Sequence, residues 1–560
     1  MRSLVVSTLF AAALVAQPAI ESAENAAGYM KAGLPNSGLA QGSLIVIKGT
    51  ALGQTALAQA SIPLPLSLAG TSATITSGGT TLTMPMNYVI GIPGNKIQIS
   101  AVVPSNTPVG AATIRVTYNG STSAPFGVNV VRSAFGIFSI NSAGSGPAIV
   151  YTGARLNLAT ESVQRGATVQ IFGTGLGAAA AADQGPAVAG DLPVDVEVWI
   201  GGKRATVTYR GRIPGIASVD QINFSVPSDT PLGCNTSLIV KVGGIVSNST
   251  TVPVATGRTC VDPLGYPPEV LARAESNNGL AIGYVGLLKT ATQISAAGVT
   301  IDNKTDVIVG SFQKFNYAGI IGGASVEGSS AASVGSCTMY QFTGQNANVP
   351  TVAAPTGLDA GASLSATGPT GGAQVVEKIA NQIGLYQRTV TSTGGVPGLP
   401  GGIPGLPTGG SEILGPGRYT VTGPGGANVG AFTASVTWPS AFAWSNQSSI
   451  STVNRNNDMT VTWTGGDSNG YVSITGFSIA LNGTQYVGAG FNCLEQANVG
   501  RFVVPSIILQ ALPASTSLSG SPLGYLSVAA SGLPNTFTAT GLDYGYINYS
   551  SAITKTVTYQ

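Results

Sequence analysis

Two blocks of this sequence recur in the same order at almost the same spacing, and that recurrence constrains the fold more than any other feature. Gly42-Ser43-Leu44-Ile45-Val46-Ile47-Lys48-Gly49-Thr50-Ala51-Leu52-Gly53 reads like Gly166-Ala167-Thr168-Val169-Gln170-Ile171-Phe172-Gly173-Thr174-Gly175-Leu176-Gly177. Val103-Pro104-Ser105-Asn106-Thr107-Pro108-Val109-Gly110 matches Val226-Pro227-Ser228-Asp229-Thr230-Pro231-Leu232-Gly233. Gly42 and Gly166 stand 124 residues apart, and Val103 and Val226 stand 123 apart. A period of that length is a domain rather than one turn of a solenoid.

Each copy reads as all-β. Ile114, Val116 and Tyr118 alternate with Thr113, Arg115 and Thr117, which predicts one buried and one wet face. In the second copy Val194, Val196, Val198 and Ile200 alternate with Asp195, Glu197 and Trp199. Gly201-Gly202 then predicts a two-residue hairpin turn, because both positions tolerate positive φ. The return strand places Ala205, Val207 and Tyr209 inward and sets Trp199 opposite Arg204. Two roles follow for Trp199: a ring shielded by a cross-strand cation–π pair, which is the preferred reading, or an exposed binding anchor.

The Gly-Thr-x-Leu-Gly turn resembles the IPT/TIG class of immunoglobulin-like domains. So do Asp220-Gln221-Ile222-Asn223-Phe224-Ser225-Val226-Pro227, Gly233 and the Val242-Gly243-Gly244-Ile245-Val246-Ser247-Asn248 hairpin. With Gly257-Arg258-Thr259-Cys260, these residues are similar to tandem domains of large secreted proteins from soil bacteria. The resemblance covers residues 30–260. It implies β-sandwiches in an extracellular setting and no catalytic residues. The first copy departs from it, with Asn95-Lys96-Ile97-Gln98-Ile99 in place of the Asp-Gln-Ile-Asn stretch.

Composition agrees with strands and turns. Charged residues make up 8% of the chain, against roughly 25% in an average soluble protein. Its polarity therefore comes from Ser, Thr, Asn, Gln and 77 Gly, a mix that disfavours long helices. The mean hydropathy is +0.30, yet no apolar run after the N-terminus is long enough for a transmembrane helix. A net charge of +2 gives no footprint for nucleic acid. The chain has no histidine, so the commonest general base and the commonest zinc ligand are both missing.

At the N-terminus, Arg2 precedes an apolar stretch from Ser3 to Ala16, the pattern of a signal peptide spanning residues 1–16. Export makes disulfides the natural state of Cys234, Cys260, Cys337 and Cys493. Four cysteines allow three connectivities. Cys234 and Cys260 bracket a strand pair at the end of the second copy and are paired on that ground, which leaves Cys337 with Cys493. A zinc site is disfavoured by the lack of any Cys-x-x-Cys and of histidine.

The expected organisation is two immunoglobulin-like repeats, 17–132 and 133–260, followed by a larger β-rich domain over 261–560. That last part is expected to be sandwich-like or jelly-roll-like, as one unit or two subdomains. Pro267-Pro268-Glu269 opens a short helix to about Glu275, and Pro505 to Leu512 is a second. The Gly/Pro-rich segment 394–410 reads as a linker or excursion. Phe432, Ala434, Val436 and Trp438 share strand parity, as do Met459, Val461 and Trp463, which puts both tryptophans in a core. Trp444 lies in a Ser/Asn/Gln stretch without parity and is the candidate ligand platform for sugar stacking, with a ring folded onto a sandwich edge as the plainer reading.

Gly466-Asp467-Ser468-Asn469-Gly470 satisfies the G-x-S-x-G pattern, but both flanks read as strands and no histidine exists to complete a relay. A hairpin tip accounts for the same residues. Asn456-Asn457-Asp458 and Asp467 would meet across such a hairpin as a weak calcium site, although Asn/Asp turns without metal are commoner. Acid pairs for glycoside hydrolysis meet in space and are not readable from sequence, and with 22 acids in 560 residues the supply is thin. The expectation is a non-enzyme without cofactor or bound metal, extracellular or on the cell surface, with a structural or adhesive role. Its partner would be an extracellular protein or a polysaccharide. The alternative is a carbohydrate-binding protein acting through its C-terminal domain.

Overall fold

The computed structural model describes residues 17–296, 299–321, 331–343, 354–393, 411–439, 441–518 and 520–560. The expected signal segment 1–16 and the Gly/Pro-rich segment 394–410 lie outside the described residues.

Two five-strand paths form the first module. One layer runs in the order Ala19–Asn25, Leu44–Thr50, Lys96–Val102, Met86–Ile92, Ala58–Gln59. The other runs Leu39–Ala40, Phe126–Val131, Gly110–Tyr118, Thr71–Ser77, Thr80–Met84. Ile114 and Val116 are 0% exposed, as their alternation requires, and face Ile45, Ile47 and Ile99 of the opposite layer across one core.

The sequence repeat is a structural repeat. Leu44 pairs with Val102 in the first module, and Thr168 pairs with Ser225 in the second, both antiparallel. Lys96–Val102 therefore occupies the place of Asp220–Ser225, although its residues depart from the shared pattern. In the second module the strand Lys203–Arg212 pairs with Val196–Ile200 through its first residues and with Asp220–Ser225 through its last, with a bulge between Val207 and Tyr209. The bulge lets one strand pass from one layer to the other. Gly201 and Gly202 have φ of 55° and 73°, the conformation that the expected hairpin turn demands.

The C-terminal part is built on one sheet of 14 strands among the described residues. Its main path runs Ser336–Thr343, Gln485–Gln496, Tyr471–Asn482, Gly524–Ser531, Tyr544–Thr556, Gly279–Ala296, Val299–Asn316, Leu385–Thr393, Ala373–Lys378, Ser363–Thr367, Gly417–Gly423 and Phe432–Trp438. Its central hairpin joins two 18-residue strands.

One face of this sheet serves two cores. Along Tyr544–Thr556, Ile553 packs against the first C-terminal core, which holds Val472, Ile474 and Phe491, while Ile547 and Tyr549 belong to the second, which holds Leu287 and Phe432. The last strand on the path curls back on the short strand Asn535–Phe537, where Asn535 Nδ2 donates to Ser435 O at 3.0 Å. Phe432 stacks on Phe537 and Trp438 on Tyr549, both with centroids 4.9 Å apart. Each such ring pair contributes about 0.5–1.5 kcal/mol beyond its area burial. The rolled end thus closes over its own interior.

Pro268–Ser276 is helical, with Pro267 at the cap and Pro268 at the first helical position, where its missing N–H costs nothing. Its Val270 and Ala274 cover Leu280 and Ile282 on the other face of the sheet. The second expected helix is confined to Ser506–Leu509.

Candidate functional site

Trp444, the candidate ligand platform, is 4% exposed. It pairs directly with Trp463, and its Nε1 donates to Asn446 Oδ1 at 3.0 Å. The polar residues around it satisfy the indole N–H while the ring packs into the first C-terminal core. No ring face is open to a sugar, so the platform expectation is corrected. Trp438 and Trp463 are core residues, 5% and 3% exposed.

The Gly466–Gly470 segment is not a hairpin tip. Met459–Gly465 lies in a three-stranded sheet with Phe442–Trp444 and Arg501–Val504, whereas Tyr471–Asn482 belongs to the large sheet. The segment is a crossing between sheets. Asp467 Oδ1 accepts from Asn469 N at 3.0 Å, an ordinary turn contact. Asp458 and Asp467 therefore stand at opposite ends of a seven-residue strand, on the order of 20 Å apart, and cannot share a calcium ion. Asp458 Oδ1 instead accepts from Ser506 N at 2.7 Å.

Trp199 stands opposite Arg204, as expected, but Arg204 reaches Glu197 at 3.8 Å instead of covering the ring. The indole donates to Glu197 Oε2 at 3.0 Å and packs against the first C-terminal core. It is an anchor, but toward the chain's own next module.

The cysteines join as Cys234–Cys260 and Cys337–Cys493. The second bond links residues that already face each other in register on neighbouring strands.

What the geometry does bring together are the joints between modules, which sequence reasoning missed. At the first joint Arg212, 3% exposed, pairs with Asp220, 0% exposed. Its Nη2 donates to Gly42 O at 2.9 Å and to Gly177 O at 2.7 Å, one carbonyl from each module. Asp220 also accepts from Leu176 N at 2.8 Å. Burial pushes the Asp220 carboxyl up, and Arg212 opposes that push.

Asp183 accepts from both the N–H and the hydroxyl of Ser105, each at 2.7 Å, across the same joint. The Asn25 side chain donates to Ala134 O and Thr174 O and accepts from Ala27 N and Gly28 N. All four of its hydrogen-bonding positions are thus used. Nearby, Glu24 pairs with Lys31 at 2.8 Å and Lys48 at 3.5 Å, and burial pushes the Tyr29 hydroxyl up to about 12.

The joint to the C-terminal part is built in the same way. Leu34, Ile239 and Val246, from the first two modules, lie inside the first C-terminal core. Gln341 Nε2 donates to Gly28 O and Tyr29 O, both at 3.0 Å, and its Oε1 accepts from Lys31 N at 3.1 Å. Asp262 Oδ2 accepts from Cys234 N, Asn235 N and Asn235 Nδ2, and Ser333 closes the cluster through Asn235. Burial pushes the Asp262 carboxyl up.

Among the described residues no group of three or more His, Cys, Asp or Glu side chains forms a metal site, and no helix is long and apolar enough to cross a membrane. A surface groove lined by Thr422, Phe432, Thr433, Thr536, Phe537 and Thr538 presents hydroxyls and ring edges without a titratable group.

Fold and joints together define a class: a multi-module all-β chain whose first two modules are immunoglobulin-like. No protein-family model matches the chain, and no curated protein matches it. Among solved structures it is similar to titin domains A168-A170, at 8% identity over 72% of this chain and 90% of that one, with a TM-score of 0.13. It is also similar to surface layer protein SbsC, domains 1-6, at 11% identity, covering 95% of this chain and 54% of that one, with a TM-score of 0.16. For the adhesin InvE of Yersinia pseudotuberculosis the values are 12%, 48%, 65% and 0.13. At such TM-scores these likenesses carry no argument about function, which has to rest on the chain's own geometry.

Proposed function

We propose that this chain is an extracellular structural or adhesive protein in which two immunoglobulin-like modules form a stiff stand for the larger C-terminal part. The observation that carries this reading is the construction of the joints. Flexibly linked domains meet through small, wet contacts. Here buried charges, a saturated asparagine and apolar side chains donated into a neighbour's core fix each module to the next. Two disulfides favour an oxidising compartment, and the apolar stretch at residues 3–16 supports export. The IPT/TIG resemblance supports the same setting. The burial of Trp444 removes the residue on which the carbohydrate-binding alternative stood.

The test is fractionation of cells producing the full chain, with and without residues 1–16, followed by binding of the exported protein to immobilised surface proteins and to insoluble polysaccharides. The expected result is export that depends on residues 1–16, with saturable binding to protein. Retention in the cytoplasm, or turnover of a glycan, contradicts the reading.

A further inference from the structure

We propose that Lys289 and Asp306 are the two ends of an intramolecular amide cross-link, with Glu412 as the proton relay. The two residues face each other in register on the central pair of strands. Lys289 Nζ lies 3.3 Å from Asp306 Oδ1, 2.6 Å from Glu412 Oε2 and 2.8 Å from Leu414 O. Asp306 is 2% exposed, on the face that carries Leu287 and Ile308, and its neighbour on the other side is Val390. The site is apolar on the Asp306 side only: Lys289 is 19% exposed, and Glu412, 38% exposed, also accepts from Lys304 Nζ at 2.7 Å through its Oε1.

The other carboxyl oxygen is the telling one. Asp306 Oδ2 accepts from Ile413 N at 2.7 Å and Leu414 N at 2.9 Å. Two backbone donors converge on the atom where negative charge develops if an amine adds to the carboxyl carbon. Backbone donors also satisfy the second oxygen of a buried ion-paired carboxylate, as Leu176 N does for Asp220, so the cross-link is carried by these donors together with the convergence of Lys289, Asp306 and Glu412.

The step balances without an outside reagent. The ammonium passes one proton to Oδ1, giving an amine and a carboxylic acid. The nitrogen lone pair attacks Cγ, the Nζ–Cγ bond forms, and the charge moves to Oδ2. Glu412 takes a second proton from nitrogen and delivers it to the Oδ1 hydroxyl. The Cγ–Oδ1 bond breaks, the Oδ2 carbonyl re-forms and water leaves. An ammonium and a carboxylate thereby become one amide and one water. The product is a covalent rung between two strands of the longest hairpin in the sheet.

The experiment is mass spectrometry of the full chain, purified folded, then reduced, denatured and digested. The expected result is a branched peptide joining Lys289 to Asp306, lighter than the sum of its two linear parts by one water. Lys289→Arg and Glu412→Gln chains should give the two linear peptides at full mass. Linear peptides at full mass from the folded wild-type chain overturn the proposal even if neither variant folds. Water loss that maps to another residue pair overturns it as well, and a cross-link that persists in Glu412→Gln overturns the relay.

Discussion

Replacing Arg212 by alanine is the most informative perturbation of the first joint. Arg212 and Asp220 are 3% and 0% exposed, so removing the guanidinium leaves a carboxylate with no water to replace it. Breaking a buried pair by removing one partner costs about 3–5 kcal/mol, because the remaining charge is uncompensated. Gly42 O and Gly177 O lose their donor in the same substitution, which places the expected loss toward the upper end. A domain holds about 5–15 kcal/mol in total, so this is a large share of its stability. The chain has several modules and need not unfold in one step. Urea titration is therefore best read by hydrogen exchange, following the Leu44 amide, which donates to Thr174 across the joint, and the Leu176 amide on Asp220. Both should lose protection at lower urea in Arg212→Ala. The double variant Arg212→Met/Asp220→Asn should lose less than Arg212→Ala alone, since it strands no charge and the introduced amide oxygen still accepts from the Leu176 N–H. An Arg212→Ala chain within about 1 kcal/mol of wild type, or a double variant as damaged as the sum of its parts, refutes the account of the joint.

The same geometry sets three further outcomes. Burial raises the Asp183 and Asp262 carboxyls above their ordinary 3.8, so the native chain holds extra protons between 3.8 and the folded-state values. Their contribution is fully present below that window and is lost as pH rises through it, so melting of the joints should move upward on acidification toward the window. An Asp183→Asn/Asp262→Asn chain that keeps the full rise contradicts this. Closing loops of 26 and 156 residues contributes about 3.5 and about 5 kcal/mol in the chain-entropy model, so Cys337→Ala/Cys493→Ala should lower the urea midpoint of the C-terminal part more than Cys234→Ala/Cys260→Ala lowers that of the second module. Equal losses would argue against that model here. Trp444→Ala should cost about 3–5 kcal/mol as a core truncation, and Trp444→Phe should recover part of it. A stable Trp444→Ala chain that has lost polysaccharide binding would restore the ring as a platform.

Much of the fold was legible because strand parity is a local property. Ile114, Val198, Phe432 and Val461 each fall on the buried face that alternation assigns them. The repeat was legible because equal offsets need no structure to see. Asp220 was half legible, since it shares parity with Ile222 and Phe224 and alternation alone places a carboxylate among core residues. Its partner was not, because Arg212 arrives from a neighbouring strand across a turn whose register the sequence leaves open. The same holds for Asp306, which shares parity with Ile308, while Glu412 comes from beyond the Gly/Pro-rich segment. The misplaced hairpin at Gly466–Gly470 has a general cause. Turn residues between two strands mark a change of direction, but they do not say whether the strands pair or part into different sheets. Trp444 was misread because its polar neighbours suggest a loop, whereas Asn446 serves to satisfy the indole N–H inside the core.

The central claim is that the modules form one stiff body. Small-angle X-ray scattering from the full chain tests it most directly. A single conformation with these joints should reproduce the profile, unchanged with ionic strength because the joint charges are buried. A profile that only an ensemble of independently moving modules fits would contradict it.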